Sequence, residues 1–113
     1  MTVKLSLFPF LTVSPAFTVQ PQSQELENGT LHTFRCTAGT GFPTPTIAWR
    51  FQPPGGVYTT VQAAAPGPSS SYTISSPQPA NVGNYRCVAR NAAGVLGSNT
   101  AALTVNGRLC LKT

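Results

Sequence analysis

The chain has 113 residues, enough for one domain with a small tail at each end. Only 8% of them are charged, seven bases against two acids, for a net charge of +5 with a single histidine. Glu25 and Glu27 are the only acids and stand near one turn, so paired-carboxylate and nucleophile–base–orienter chemistry are excluded and no catalytic residue is assigned. A hydrophobic share of 41% suffices for a core, and the surface must be covered mainly by Ser, Thr, Gln, Asn, Gly and Pro. A pI near 9.6 favours acidic partners in general. No apolar run approaches the eighteen or so residues of a membrane span.

Residues 1–14 are read as a leader or a linker remnant. Lys4 precedes Leu5-Ser6-Leu7-Phe8-Pro9-Phe10-Leu11, the outline of a signal peptide, but the apolar run is short and broken by Pro9. A domain is expected over 15–106, with a C-terminal tail at 107–113. Phe17 to Pro21 reads as a strand that the proline confines to a sheet edge. Gln24 to Glu27 follows as a short strand, and Asn28-Gly29 is a hairpin turn signal. Thr30 to Gly39 alternates around Phe34, Cys36 and Ala38. Thr40 to Pro45 reads as a loop, and Thr46 to Gln52 as a strand with Ile47, Trp49 and Phe51 on one face. Pro53-Pro54-Gly55-Gly56 turns the chain into a short strand at Val57 to Val61. Ala63 to Ser70 has little pattern and is expected to be a loop. Ser71 to Ser75, Asn84 to Ala92 and Leu96 to Val105 read as the last strands, and no helix longer than a turn is predicted.

The most informative stretch is Asn81-Val82-Gly83-Asn84-Tyr85-Arg86-Cys87-Val88-Ala89-Arg90-Asn91. A turn enters a strand in which Tyr85, Cys87 and Ala89 point one way and Arg86, Val88 and Arg90 the other. A tyrosine two residues before a cysteine, after a turn with glycine, resembles the tyrosine corner of an immunoglobulin sandwich. Cys36 and Trp49 stand where that arrangement wants a second cysteine and a buried tryptophan. With Gly41-Phe42-Pro43-Thr44-Pro45, Tyr72, Ile74, Gly94, Leu103 and Val105, the chain is similar to immunoglobulin-like domains of the I-set type over most of its length.

The resemblance implies an all-β, Greek-key sandwich of two antiparallel sheets, a Cys36–Cys87 disulfide, Trp49 packed on it, and Tyr85 bonded to the backbone just upstream. A bridge closing about fifty residues stabilises by roughly 4 kcal/mol in the chain-entropy model. That is comparable to the net stability of a marginal domain, and such reliance points to an extracellular or secreted setting. The resemblance also implies a recognition module of a cell-surface receptor or adhesion protein, as in adhesion molecules and receptor tyrosine kinase ectodomains, binding protein ligands or a second copy of itself. Two rival readings are a structural spacer in a tandem array and a domain that binds an acidic polysaccharide. No cofactor and no nucleic-acid partner is implied, and a membrane only through the parent protein.

The chain departs from the family pattern in three places. Asn81 replaces the usual Asp, and Phe51 to Tyr85 contains no charged residue, so the ion pair that often braces this turn is missing whole. Pro77 occupies an inward aliphatic position. His32 falls at an inward valine position, leaving two arrangements: it sits at the open end of the sandwich, or a bulge lets Leu31 replace it.

If Cys36 and Cys87 pair, only His32 and Cys110 remain as soft ligands, so no metal site is expected. Cys110 either bonds another chain or is an exposed thiol. Asn28-Gly29-Thr30 is an N-glycosylation pattern, and Asn28 equally suits a tight turn. Arg50, Arg86 and Arg90 point outward from neighbouring strands with no acid among them. They form either a candidate ligand face or simply a solvated one.

Overall fold

Alternation builds the two central strands. In the computed structural model, which describes residues 12–27 and 30–106, β3 (His32–Phe42) buries Phe34, Cys36 and Ala38. Strand β7 (Gly83–Asn91) buries Tyr85, Cys87 and Ala89. Seven further strands complete the described fold. They are β1 (Val13–Val19), β2 (Gln24–Glu27), β4 (Thr46–Gln52), β5 (Thr59–Pro66), β6 (Ser69–Ile74), β8 (Gly94–Gly97) and β9 (Ala101–Asn106), with a 3-10 turn at Pro79–Asn81 before β7.

The strands form two sheets, the smaller in the order β1-β3-β6 and the larger in the order β2-β9-β7-β4-β5, with β8 also on β7. Pairing is antiparallel except between β2 and β9, which run parallel from Gln24↔Leu103 to Glu27↔Asn106. The expectation of purely antiparallel sheets is therefore corrected at that edge. The expected hairpin at Asn28-Gly29 is corrected too, since β2 and β3 lie in different sheets. Leu26 packs against the core beside Leu103 and Val105, and that burial decides the partner of β2.

The core is aromatic at its centre. The Phe34 ring stacks on Tyr85 at 4.9 Å and lies 6.3 Å from Trp49, while Phe51 lies 4.7 Å from Tyr85. Such pairs add roughly 0.5–1.5 kcal/mol each beyond the area they bury. Cys36 of the smaller sheet is bonded to Cys87 of the larger, with Cα atoms 6.6 Å apart. A second tie runs between the sheets, from Trp49 Nε1 to Ser70 Oγ at 2.9 Å. That bond supplies the indole donor with the acceptor that burial would otherwise deny it.

Several boundaries differ from the sequence reading. Strand β1 begins at Val13, inside the stretch read as leader, because the Val13 carbonyl accepts from Asn91 Nδ2 at 2.7 Å and Val13 pairs with Phe42. The same pairing carries β3 through Thr40 to Phe42, where a loop is expected. Residues Ala63 to Pro66 and Ser69-Ser70 are strand, not loop, and only Gly67-Pro68 separates β5 from β6. Strand β5 is a sheet edge exposed along nearly all its length, so no face of it is buried and no alternation betrays it. The single last strand is two, β8 and β9. Between them Ser98 turns inward, its Oγ accepting from the Cys87 N–H at 3.0 Å and donating to the Asn99 carbonyl at 2.8 Å.

His32 settles at the end of the smaller sheet. It pairs with Ile74, its ring meets Phe34 edge-on at 4.5 Å, and Leu31 is 58% exposed. No bulge replaces it.

Candidate functional site

Strand β7 positions the site, and the turn before it fixes β7. The Tyr85 hydroxyl donates to the Asn81 carbonyl at 2.7 Å, four residues back. Asn81 Oδ1 accepts the Gln78 N–H at 2.8 Å, so the amide holds the turn without the charge an aspartate would bring. Pro77 is fully buried below it. At Gly83 φ is +153°, and a Cβ there would run into the Gln52 carbonyl of β4, so only glycine lets the two strands approach. Burial first, and the neighbouring Tyr72 second, push the Tyr85 hydroxyl up to about 12. Tyr85→Phe keeps the ring and strands the Asn81 acceptor, so a loss of about 1 kcal/mol is expected in urea unfolding. An unchanged midpoint would mean that water replaces the bond.

With Trp49 and Cys87 inward and directly paired, the intervening residues must face outward. Arg50 stands opposite Arg86, Ala48 opposite Val88, and Thr46 opposite Arg90. All three arginines thus share one sheet face, but they are not equivalent. Arg90 is exposed, whereas Arg50 and Arg86 are half-buried. Arg90 lies four residues from Arg86 along one strand, about 13 Å away.

The cover over Arg50 and Arg86 is Tyr58, to which the sequence alone assigns no role. Its ring sits 4.3 Å from the Arg86 guanidinium carbon, its carbonyl accepts from Arg50 Nη2 at 3.5 Å, and its hydroxyl is 3.4 Å from Thr100 Oγ1. The strand expected at Val57 to Val61 begins only at Thr59, so Tyr58 stands in the connection before β5, where no alternation signals its contact. The same outer face carries Val88 and Val95, the latter 53% exposed.

The outer face of the smaller sheet is different in kind. Thr33 pairs with Thr73 and Thr37 with Ser69, hydroxyl to hydroxyl at 2.8 and 3.1 Å, with Arg35 opposite Ser71 between them. Those hydroxyls satisfy one another. Asn28 and Cys110 lie outside the described residues, as do Lys4, Arg108 and Lys112. Among the described residues no cluster of three or more His, Cys, Asp or Glu side chains could hold a metal ion.

A family model for the immunoglobulin domain matches residues 14–91. The chain belongs to the immunoglobulin domain family. Its sequence is 35% identical over 99 residues to peroxidasin of Drosophila melanogaster, covering 87% of this chain and 6% of that protein. It is 34% identical over 95 residues to protogenin of Mus musculus, covering 84% of this chain and 8% of that one. The chain therefore spans less than a tenth of either relative. Among solved structures it resembles a mutant titin–obscurin-like 1 Ig complex, with a TM-score of 0.71 and 27% identity over 86% of this chain and 97% of the other. It also resembles titin domains Z1Z2 in complex with telethonin, with a TM-score of 0.68 and 28% identity over 86% and 49%.

Within this immunoglobulin domain His32 is the group placed to titrate near neutrality. Burial lowers its pKa below the usual 6.5, and its Nε2 is buried without a partner. The unfolded chain takes up the proton first, so stability is full above about 6.5 and falls as pH drops toward the depressed folded value. Melting temperatures between pH 8 and 4 should show that acid slope, and His32→Val should flatten it. A slope unchanged in the variant would assign the proton elsewhere.

Proposed function

We propose that this immunoglobulin domain is an extracellular recognition module of a cell-surface receptor or adhesion protein, binding a protein partner through the outer face of its larger sheet. One observation carries the reading, the contrast between the two outer faces. The smaller sheet presents hydroxyls already paired with one another. The larger presents Val88 and Val95 among arginines that no acid on β4, β5, β7 or β8 neutralises. Apolar side chains mixed with arginine and tyrosine are what protein interfaces are enriched in. The Cys36–Cys87 bond supports the extracellular setting, because such bridges persist in oxidising compartments.

Beads carrying the domain can be tested against a panel of cell-surface ectodomains that includes a second copy of this chain. The paired substitution Val88→Glu with Val95→Glu should abolish capture, while Thr33→Glu with Thr73→Glu should leave it intact. Equal loss from both pairs would remove the face from the proposal.

The likeness to titin domains supports a second reading, a spacer in a tandem array. The redox state of Cys36 and Cys87 in protein taken from its own source separates the two. A bonded pair belongs to the ectodomain, and free thiols belong to an intracellular spacer.

A further inference from the structure

Arg50 and Arg86 face each other directly across β4 and β7, and neither those strands nor β5 and β8 carry an acid. Like charges directly opposite in a sheet destabilise it, and a guanidinium cannot shed its proton to escape. The Nε of each is buried and makes no hydrogen bond. Both side chains have lost water on one side without gaining a counter-charge. Tyr58 answers only in part, through its ring over Arg86 and its carbonyl toward Arg50, and neither group is an anion. It does fix their direction. Arg86 lies against β8 at Gly97, where even a Cβ would stand in ordinary contact, 3.6 Å from Nη1.

We propose that Arg50 and Arg86, walled by Tyr58, form a binding site for one carboxylate, an aspartate or glutamate side chain projecting from a protein partner. The proposal rests on the protein-binding reading above and names the chemistry of its focal contact. Two guanidinium forks offer parallel N–H donors that match a carboxylate. A partner seated on the surrounding valines would exclude water, which strengthens the attraction. A sulfated polysaccharide fits less well, because it needs cations spread along its length. Arg90 stands about 13 Å off along β7, and Arg35, the remaining arginine among the described residues, lies on the other sheet.

The test is a titration of the folded chain followed by the Nε–H resonances of its arginines. The probes are a short peptide whose only charged group is one glutamate, the same peptide with glutamine, and a heparin fragment, all at constant ionic strength. The glutamate peptide should shift Arg50 and Arg86 saturably and leave Arg90 and Arg35 still, and the glutamine peptide should do nothing. Arg86→Gln and, separately, Arg50→Gln should weaken binding by about tenfold or more. Both should keep or raise the melting temperature, because each relieves the like-charge pair. Equal shifts at Arg50, Arg86, Arg90 and Arg35 would reduce the effect to net charge and overturn the site. So would saturation by heparin with none by the glutamate peptide. If the pocket fails while the Val88 and Val95 substitutions still abolish capture, the protein-binding face stands without it.

Discussion

Replacing both Cys36 and Cys87 with alanine is expected to lower stability by about 4 kcal/mol. The bridge joins residues 51 apart in sequence, and its loss restores that loop's freedom to the unfolded chain. Both cysteines are fully buried, so the alanines also leave unfilled space beside Trp49. Against a net stability of roughly 5–15 kcal/mol, a small domain would be left marginal at 37 °C. Urea unfolding of parent and variant measures the difference. A shift below about 1 kcal/mol would mean that the aromatic stack alone specifies the sandwich.

Phe34→Ala is expected to cost about 3–5 kcal/mol. Phe34 is fully buried and touches three rings, those of His32, Trp49 and Tyr85, from a strand that also carries Cys36. Its backbone is pinned to β6 at Phe34↔Tyr72, which limits how far neighbours can collapse into the hole. Phe34→Leu should recover much of the loss. Equal effects from the two variants would argue that ring stacking, not volume, holds this position.

The core was legible because period-two alternation reports a strand with one buried face. Phe34, Cys36 and Ala38, like Tyr85, Cys87 and Ala89, follow from that alternation alone. Strand β5 could not, because Gln62-Ala63-Ala64-Ala65 lies on an edge open on both sides and has no buried face to alternate with. The parallel β2–β9 pairing was equally hidden, since a turn signal at Asn28-Gly29 reports a reversal and not the partner of the strand before it. Of the candidate face, the outward direction of Arg50, Arg86 and Arg90 followed from parity alone. Their inequality did not. It depends on Tyr58, which reaches them across the sheet from a loop.

The pairing of β2 with β9 joins the first strand of the larger sheet to its last, side by side and in the same direction. Once β1 has parted from β3, a pull applied between the two ends of the chain acts on those strands in opposite senses along their common axis. The rungs from Gln24↔Leu103 to Glu27↔Asn106 are loaded together, in shear, and must fail together. An antiparallel pair at that edge would instead open one rung at a time. Held by its ends in a string of similar units, the domain would act as a clasp that resists tension until the whole edge gives way.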